Sequence, residues 1–267
     1  MVIFDHAMVG IIEIGNWKRS GVSSLINAYT FAREYVVGDV RLLWRTAFLF
    51  LFFFISGISS YFSKNNLKRA FTMVIVGGLI TLITYLIDRF AMSGVYIQFG
   101  VIQCFAVIIL IYALIEALIN LIFKTIEKKK GEFKKITKTL ISCSIYLILA
   151  VVLFVINEIY NVKLTEVFGQ YKAIKTDNPI LGLFIYTENW WTADYFPLMP
   201  FISMFLLGAC LGPLIYYNKE SKLKILDGVW HKPITIAGRF SLIIYVVGTL
   251  LVFLIEAIIS LIYTGNI

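Results

Sequence analysis

VIQCFAVIILIYALIEALINLIF, residues 101–123, decides the fold class. As an α-helix this stretch outreaches the ~30 Å hydrocarbon core of a bilayer. TAFLFLFFFISGISSYF, Thr46–Phe62, is a second stretch of the same kind. Working outward, further apolar runs lie at about 1–16, 70–87, 139–156, 196–217 and 236–263. Hydrocarbon offers no partner to exposed backbone N–H and C=O groups, so each run is expected to be a helix. The ten-residue alternating segments of a transmembrane barrel do not occur. The expectation is an all-α, polytopic transmembrane helix bundle of about seven spans, folded as a single integral-membrane domain over residues 1–267.

Composition agrees. Of 267 residues, 60% are hydrophobic and 15% charged, against about 45–50% apolar and about 25% charged in soluble domains. The 22 Phe, 15 Tyr and 5 Trp exclude a disordered chain. A net charge of +8 in a soluble protein would point to nucleic acid. Here the basic residues gather in loops between apolar runs, so no nucleic-acid partner is implied and the partner is the lipid bilayer. Cys104, Cys143 and Cys210 all fall inside apolar runs with no CxxC spacing, which suits packing rather than a disulfide framework, and no metal site is legible.

The short connections 63–69 (Lys64, Lys68, Arg69), 124–138 and 218–235 (Lys219, Lys222, Lys224, Lys232) are the basic ones. The alternate set, read as loops at 17–45, 88–100 and 157–195, is longer and less densely basic. The basic set is therefore expected on the cytoplasmic side, with the first span starting inside and the last ending outside. The first span lacks the basic flank of a signal peptide, and Asp5, His6 and Glu13 interrupt it. It reads as a short re-entrant helix or as part of a longer one.

His6, Gly10 and Glu13 stand at i, i+4 and i+7 and share one helix face, with Gly10 as a notch between the polar groups. Ionisable residues inside a span are costly and mark function by default; an interhelical polar cluster is the alternative. Asp5 points about a quarter-turn away, toward a neighbouring helix or the imidazole. Ser56, Gly57 and Ser60 fit close helix packing or the lining of a polar cavity. Gln103 is either a satisfied polar residue at a helix end or a substrate contact. Trp190 and Trp191 serve as interfacial anchors, as sugar-stacking platforms, or both. Asp194, just before Pro197, favours the dipole of the helix about to start, or holds the acceptor or the histidine. Lys68, Arg69 and Arg239 lie at cytoplasmic span ends, where a guanidinium can clamp phosphate.

Five stretches, in order, resemble the catalytic membrane domain of the heparan-alpha-glucosaminide N-acetyltransferase family and its bacterial relatives. They are MVIFDHAM (1–8), FFISGISS (53–60) followed by Asn66-Leu67-Lys68-Arg69, FGVIQ (99–103), DYFPLMP (194–200) with Leu207-Gly208, and GRFSLIIY (238–245). Bacterial relatives often have His where Gln103 stands, and many carry His-Gln-Pro where this chain has Gly248-Thr249-Leu250. The resemblance implies a transmembrane acyltransferase that moves an acetyl group from cytosolic acetyl-CoA to an amine or hydroxyl of an extracytoplasmic acceptor. That acceptor is expected to be a glycan or glycolipid, and the setting a bacterial plasma membrane. It makes His6 the counterpart of the family's first-half histidine, as base or acyl carrier, with Asp5 and Asp194 beside it. Arg239, Arg69 and Lys68 would then hold the donor's phosphates, and Gln103, Glu13, Trp190 and Trp191 the acceptor. Imidazole suits the role because it ordinarily titrates near neutrality. A homodimer is left open, and a non-catalytic scaffold or a small-molecule transporter are the alternatives.

Overall fold

The computed structural model describes residues 2–13, 17–90, 94, 96–160, 178, 180–187, 190, 194–220, 228, 230 and 232–264. Among these the chain is all-α. In order come α1 (Val2–Glu13), α2 (Ser23–Val37), α3 (Asp39–Ser60), α4 (Asn66–Phe90) and α5 (Val101–Lys130). They are followed by α6 (Lys135–Tyr160), the single turn α7 (Leu181–Phe184), α8 (Phe201–Ile215), α9 (Lys232–Arg239) and α10 (Ser241–Thr264). One isolated parallel bridge, between Phe99 and Tyr195, is the extended pairing among the described residues.

Five helices, α3, α4, α5, α6 and α10, are long and apolar enough to cross a membrane, and α8 is a shorter apolar helix. Their outward faces are bare hydrocarbon: Phe71, Ile75, Leu79 and Leu82 on α4, and Ile148, Val152 and Ile159 on α6, are all exposed. Water would not tolerate such continuous stripes, whereas lipid tails satisfy them. The protein is an integral, multi-pass membrane protein.

Two expectations need correction. The stretch 17–45 is not a loop: Trp17–Arg19 forms a 3-10 turn, α2 follows, and α3 already begins at Asp39. α2 carries Asn27, Thr30, Arg33 and Glu34 among its apolar residues, so it has no continuous apolar run to betray it. Within the first run, the 12 residues Val2–Glu13 are helical, about 18 Å at 1.5 Å per residue. The last apolar run, 236–263, is broken at Phe240 between α9 and α10.

The chain divides into two compact units, Thr46–Glu220 and Met1–Arg45 with Ser221–Ile267. In the first, α8 is buried over most of its length, with Phe201, Phe205, Leu206 and Ala209 almost without exposure, and only its end at Leu214 and Ile215 is exposed. α3 runs beside it in the same direction. A side chain at Gly57 would strike the Phe205 carbonyl, and one at Gly208 the Phe54 carbonyl. The glycine in ISGIS is therefore a close-packing residue. α6 passes α8 antiparallel, the Cys143 thiol donating to the Cys210 carbonyl at 3.2 Å. The three cysteines are buried free thiols. In the second unit α1 packs parallel to α10, with Ile3 against Gly248 and Gly10 against Glu256. Ile11, Trp17 and Ala32 join these two helices to α2 through Met8, Leu25, Tyr29 and Ile259.

Candidate active site

His6 sits at the middle of α1, half-buried, and its ring meets two aromatic side chains of α10. Tyr245 lies edge-on at 5.8 Å between ring centroids, and Phe253 is tilted against it at 6.0 Å. This aromatic bracket fixes where the imidazole stands. The notch expected at Gly10 is present and filled: Glu256 of α10 occupies it, and a Cβ at Gly10 would lie 2.8 Å from the Glu256 Cδ. Glu13, the third residue of that face, ends α1 in an exposed position.

Asp5 faces away from that bracket. Its carboxylate accepts a forked pair of hydrogen bonds from Arg41, from Nε at 2.6 Å and from Nη2 at 3.0 Å. Two parallel charge-assisted bonds fix orientation as well as distance. The Tyr35 hydroxyl donates to the same carboxylate at 3.3 Å. Burial, together with the Asp5 carboxylate, pushes the Tyr35 phenol above its ordinary range, so it remains a donor at neutral pH. Asp5 is thus the anchor that ties α1 to Tyr35 and Arg41, one residue before the imidazole.

In the other unit a polar cluster forms where α3 ends and α4 begins. Asn65 accepts from the Lys68 backbone N–H at 2.9 Å and so opens α4. Half-buried Arg69 donates from Nη1 to Ser60 Oγ at 3.2 Å and Ser59 Oγ at 3.4 Å, and its guanidinium lies 5.5 Å from the centre of the Phe105 ring. Among the described residues no carboxylate forms an ion pair with it. Asn66 donates to the Ser60 carbonyl at 3.2 Å and to Glu116 at 3.0 Å, while its own Oδ1 is buried and unpaired. Lys68 is exposed beside it. Ser59 and Ser60 therefore have a polar task after all, holding a desolvated cation.

Asp194 caps a different helix from the one it precedes. Its Oδ2 accepts from the Val101 N–H at 3.4 Å, at the start of α5. Gln103 completes that turn: Oε1 accepts from Gly100 N–H at 3.2 Å, and Nε2 donates to Thr81 Oγ1 at 2.9 Å and the Gly77 carbonyl at 3.1 Å. The amide thereby stitches α5 to α4. Trp190 stacks on Tyr195 at 5.6 Å and meets Phe99 edge-on at 6.0 Å. Trp191 lies outside the described residues, and of Arg239 only its place as the last residue of α9 is described.

A family model described as heparan-alpha-glucosaminide N-acetyltransferase, catalytic, matches residues 22–126 and 131–250. The chain belongs to this family. No curated protein and no solved structure matches it. As a member of the heparan-alpha-glucosaminide N-acetyltransferase family it is a transmembrane, acetyl-CoA-dependent acetyltransferase, with acetyl-CoA as the family's donor. The match begins after α1 and ends before Glu256. For the donor, the chemistry of Arg69 fits: a guanidinium already stripped of much water, with neutral hydroxyls as partners, suits a phosphate. Sequence reading missed Arg41, Tyr35 and Glu256. For Glu256 a signal was present, since it is an acid inside the apolar run 236–263. For Arg41 there was none, because its partner lies 36 residues away.

Proposed function

We propose that this protein transfers acetyl from cytosolic acetyl-CoA to an amine or hydroxyl of an extracytoplasmic sugar acceptor in a bacterial plasma membrane, with His6 as base or acyl carrier. The observation that carries this reading is the setting of His6: a half-buried imidazole on an apolar helix, bracketed by Tyr245 and Phe253, in a chain of an acetyltransferase family. Asp5 serves by holding the helix. Arg69, with Lys68 beside it, receives the charged end of coenzyme A, and Arg239 of the other unit is a separate candidate for the same role. Asp194 and Gln103 support the reaction by fixing the start of α5, and Trp190 belongs to the aromatic surface near the acceptor side. A thioester attacked by an amine needs a group to take the amine's proton, and imidazole does so at neutral pH.

Calorimetry with acetyl-CoA on detergent-purified protein tests the donor assignment. Arg69→Ala should weaken acetyl-CoA binding about tenfold or more, as expected for one charged hydrogen-bonded contact of about 1.5–3 kcal/mol. Arg69→Lys keeps the charge but not the fork and should fall between. Arg239→Ala should also weaken binding, and Lys128→Ala should leave it unchanged. Parental affinity in Arg69→Ala removes this cluster from the donor site.

The orientation has its own test. Single cysteines labelled from outside intact cells should react at positions within 170–190 and be silent within 124–138, where seven lysines crowd the loop. The reverse pattern would place the acceptor on the cytoplasmic face.

A further inference from the structure

The face of α10 that meets α1 carries Tyr245, Thr249, Phe253 and Glu256 at helical spacing. Tyr245 and Phe253 lie against His6, and Phe253 and Glu256 lie against Gly10, one turn further along α1. Glu256 is 4% exposed, and its Oε2 has no hydrogen-bond partner among the described residues. Desolvating a carboxyl group is costly, and buried ones are normally satisfied by the fold. A merely structural contact between two apolar helices is better served by alanine or leucine. The absence of a side chain at residue 10 is what admits this carboxyl: a methyl there would overlap Oε2. His6 and Gly10 are four residues apart, a rise of about 6 Å along α1, and Phe253 lies against both positions, so the imidazole and the carboxyl belong to one face of the α1–α10 contact.

We infer that Glu256 is a second proton-transfer group of the acetyl-transfer site, seated in the Gly10 notch one helical turn from His6. This rests on the reading of His6 as the base. As the acceptor's nitrogen or oxygen bonds to the thioester carbonyl carbon, its proton goes to His6. When the carbon–sulfur bond breaks, the electron pair leaves on sulfur, and the Glu256 carboxyl supplies the proton that makes the thiol. The imidazolium then returns its proton to the Glu256 carboxylate. The net change is one proton moved from acceptor to coenzyme A, with both side chains reset. The other titratable groups of the packed elements are accounted for. Asp5 is ion-paired with Arg41 and accepts from Tyr35; Glu13, Lys18, Arg19, Arg33, Glu34, Lys232 and Tyr263 are exposed; Tyr29 packs with Ile259, while Tyr245 faces the imidazole.

The test is thiol release from acetyl-CoA by protein in liposomes, with glucosamine as acceptor and with water alone, measured across pH. Glu256→Gln keeps the volume and removes the exchangeable proton. It should lower kcat about 100-fold, the low end of general acid–base contributions, while leaving the KM for acetyl-CoA within about threefold. It should also lose one limb of the pH profile. Glu256→Asp should recover part of the rate with that limb displaced, and Gly10→Ala should lower kcat by closing the notch. If Glu256→Gln does not fold, the Asp variant decides, and a parental profile there overturns the inference. Parental kcat and both limbs in Glu256→Gln, with His6→Ala inactive, overturn Glu256 and leave His6 in place. An active His6→Ala, or a parent that releases no thiol, overturns the reading of His6 and this inference with it.

Discussion

His6→Ala is expected to lower kcat for acetyl transfer by about 10²–10⁴, with the protein still inserting and purifying as the parent does. The imidazole is half-buried against Tyr245 and Phe253, so the protein's yield and unfolding midpoint are measured beside its activity. With His6 as the proposed base, the chemistry should not tolerate the change. An amine gains a positive charge as it attacks a thioester, and without a base the intermediate returns to reactants. The same variant separates the two routes open to His6. If the imidazole carries the acetyl group, labelled acetyl-CoA without acceptor should leave label on the parent and none on His6→Ala. If it acts only as a base, neither is labelled. Full activity in His6→Ala sinks both.

The sequence made the lipid-facing helices legible because lipid is a uniform solvent. Val101–Phe123 and Thr46–Phe62 need no partner to be read, only length and apolarity, and they lie within α5 and α3. The region 17–45 was opaque for the opposite reason. α2 and the first turns of α3 carry Arg33, Glu34, Asp39, Arg41 and Arg45, and polar residues in a mixed sequence look like a loop until their partners are known. Asp5 is the clearest case. On α1 it reads as an isolated acid next to a histidine, yet Arg41 and Tyr35, from beyond the supposed loop's midpoint, complete it. Asp194 shows the same limit. Local reasoning gives it the next helix, while the chain's return through the Phe99–Tyr195 bridge brings it to the start of α5, 93 residues earlier. His6 and Gly10 were legible as a face of α1, but what fills that face comes from the far end of the chain. Periodicity states which side of a helix is special without saying what stands opposite.

Arg41→Ala is expected to destabilise the unit that holds α1 more than any other single change around the site. Asp5 keeps 15% of its side-chain exposure and Arg41 17%, so the two charges have little water to fall back on. Removing one member of such a pair strands the other, which costs about 3–5 kcal/mol in buried cases. Tyr35 alone, one hydroxyl at 3.3 Å, cannot replace two guanidinium N–H groups at 2.6 and 3.0 Å. Because Asp5 precedes His6 directly, loss of the clamp also frees the helix that aims the imidazole. kcat should therefore drop with stability, with the KM for acetyl-CoA moving less. The double variant Asp5→Asn with Arg41→Gln removes both charges and keeps hydrogen-bonding groups of similar size, so it should regain most of the stability lost by Arg41→Ala. Unfolding midpoints of the three variants in detergent provide the measurement. If Arg41→Ala melts at the parental temperature, the pair does not hold α1, and the tether of His6 must be sought in α10 instead.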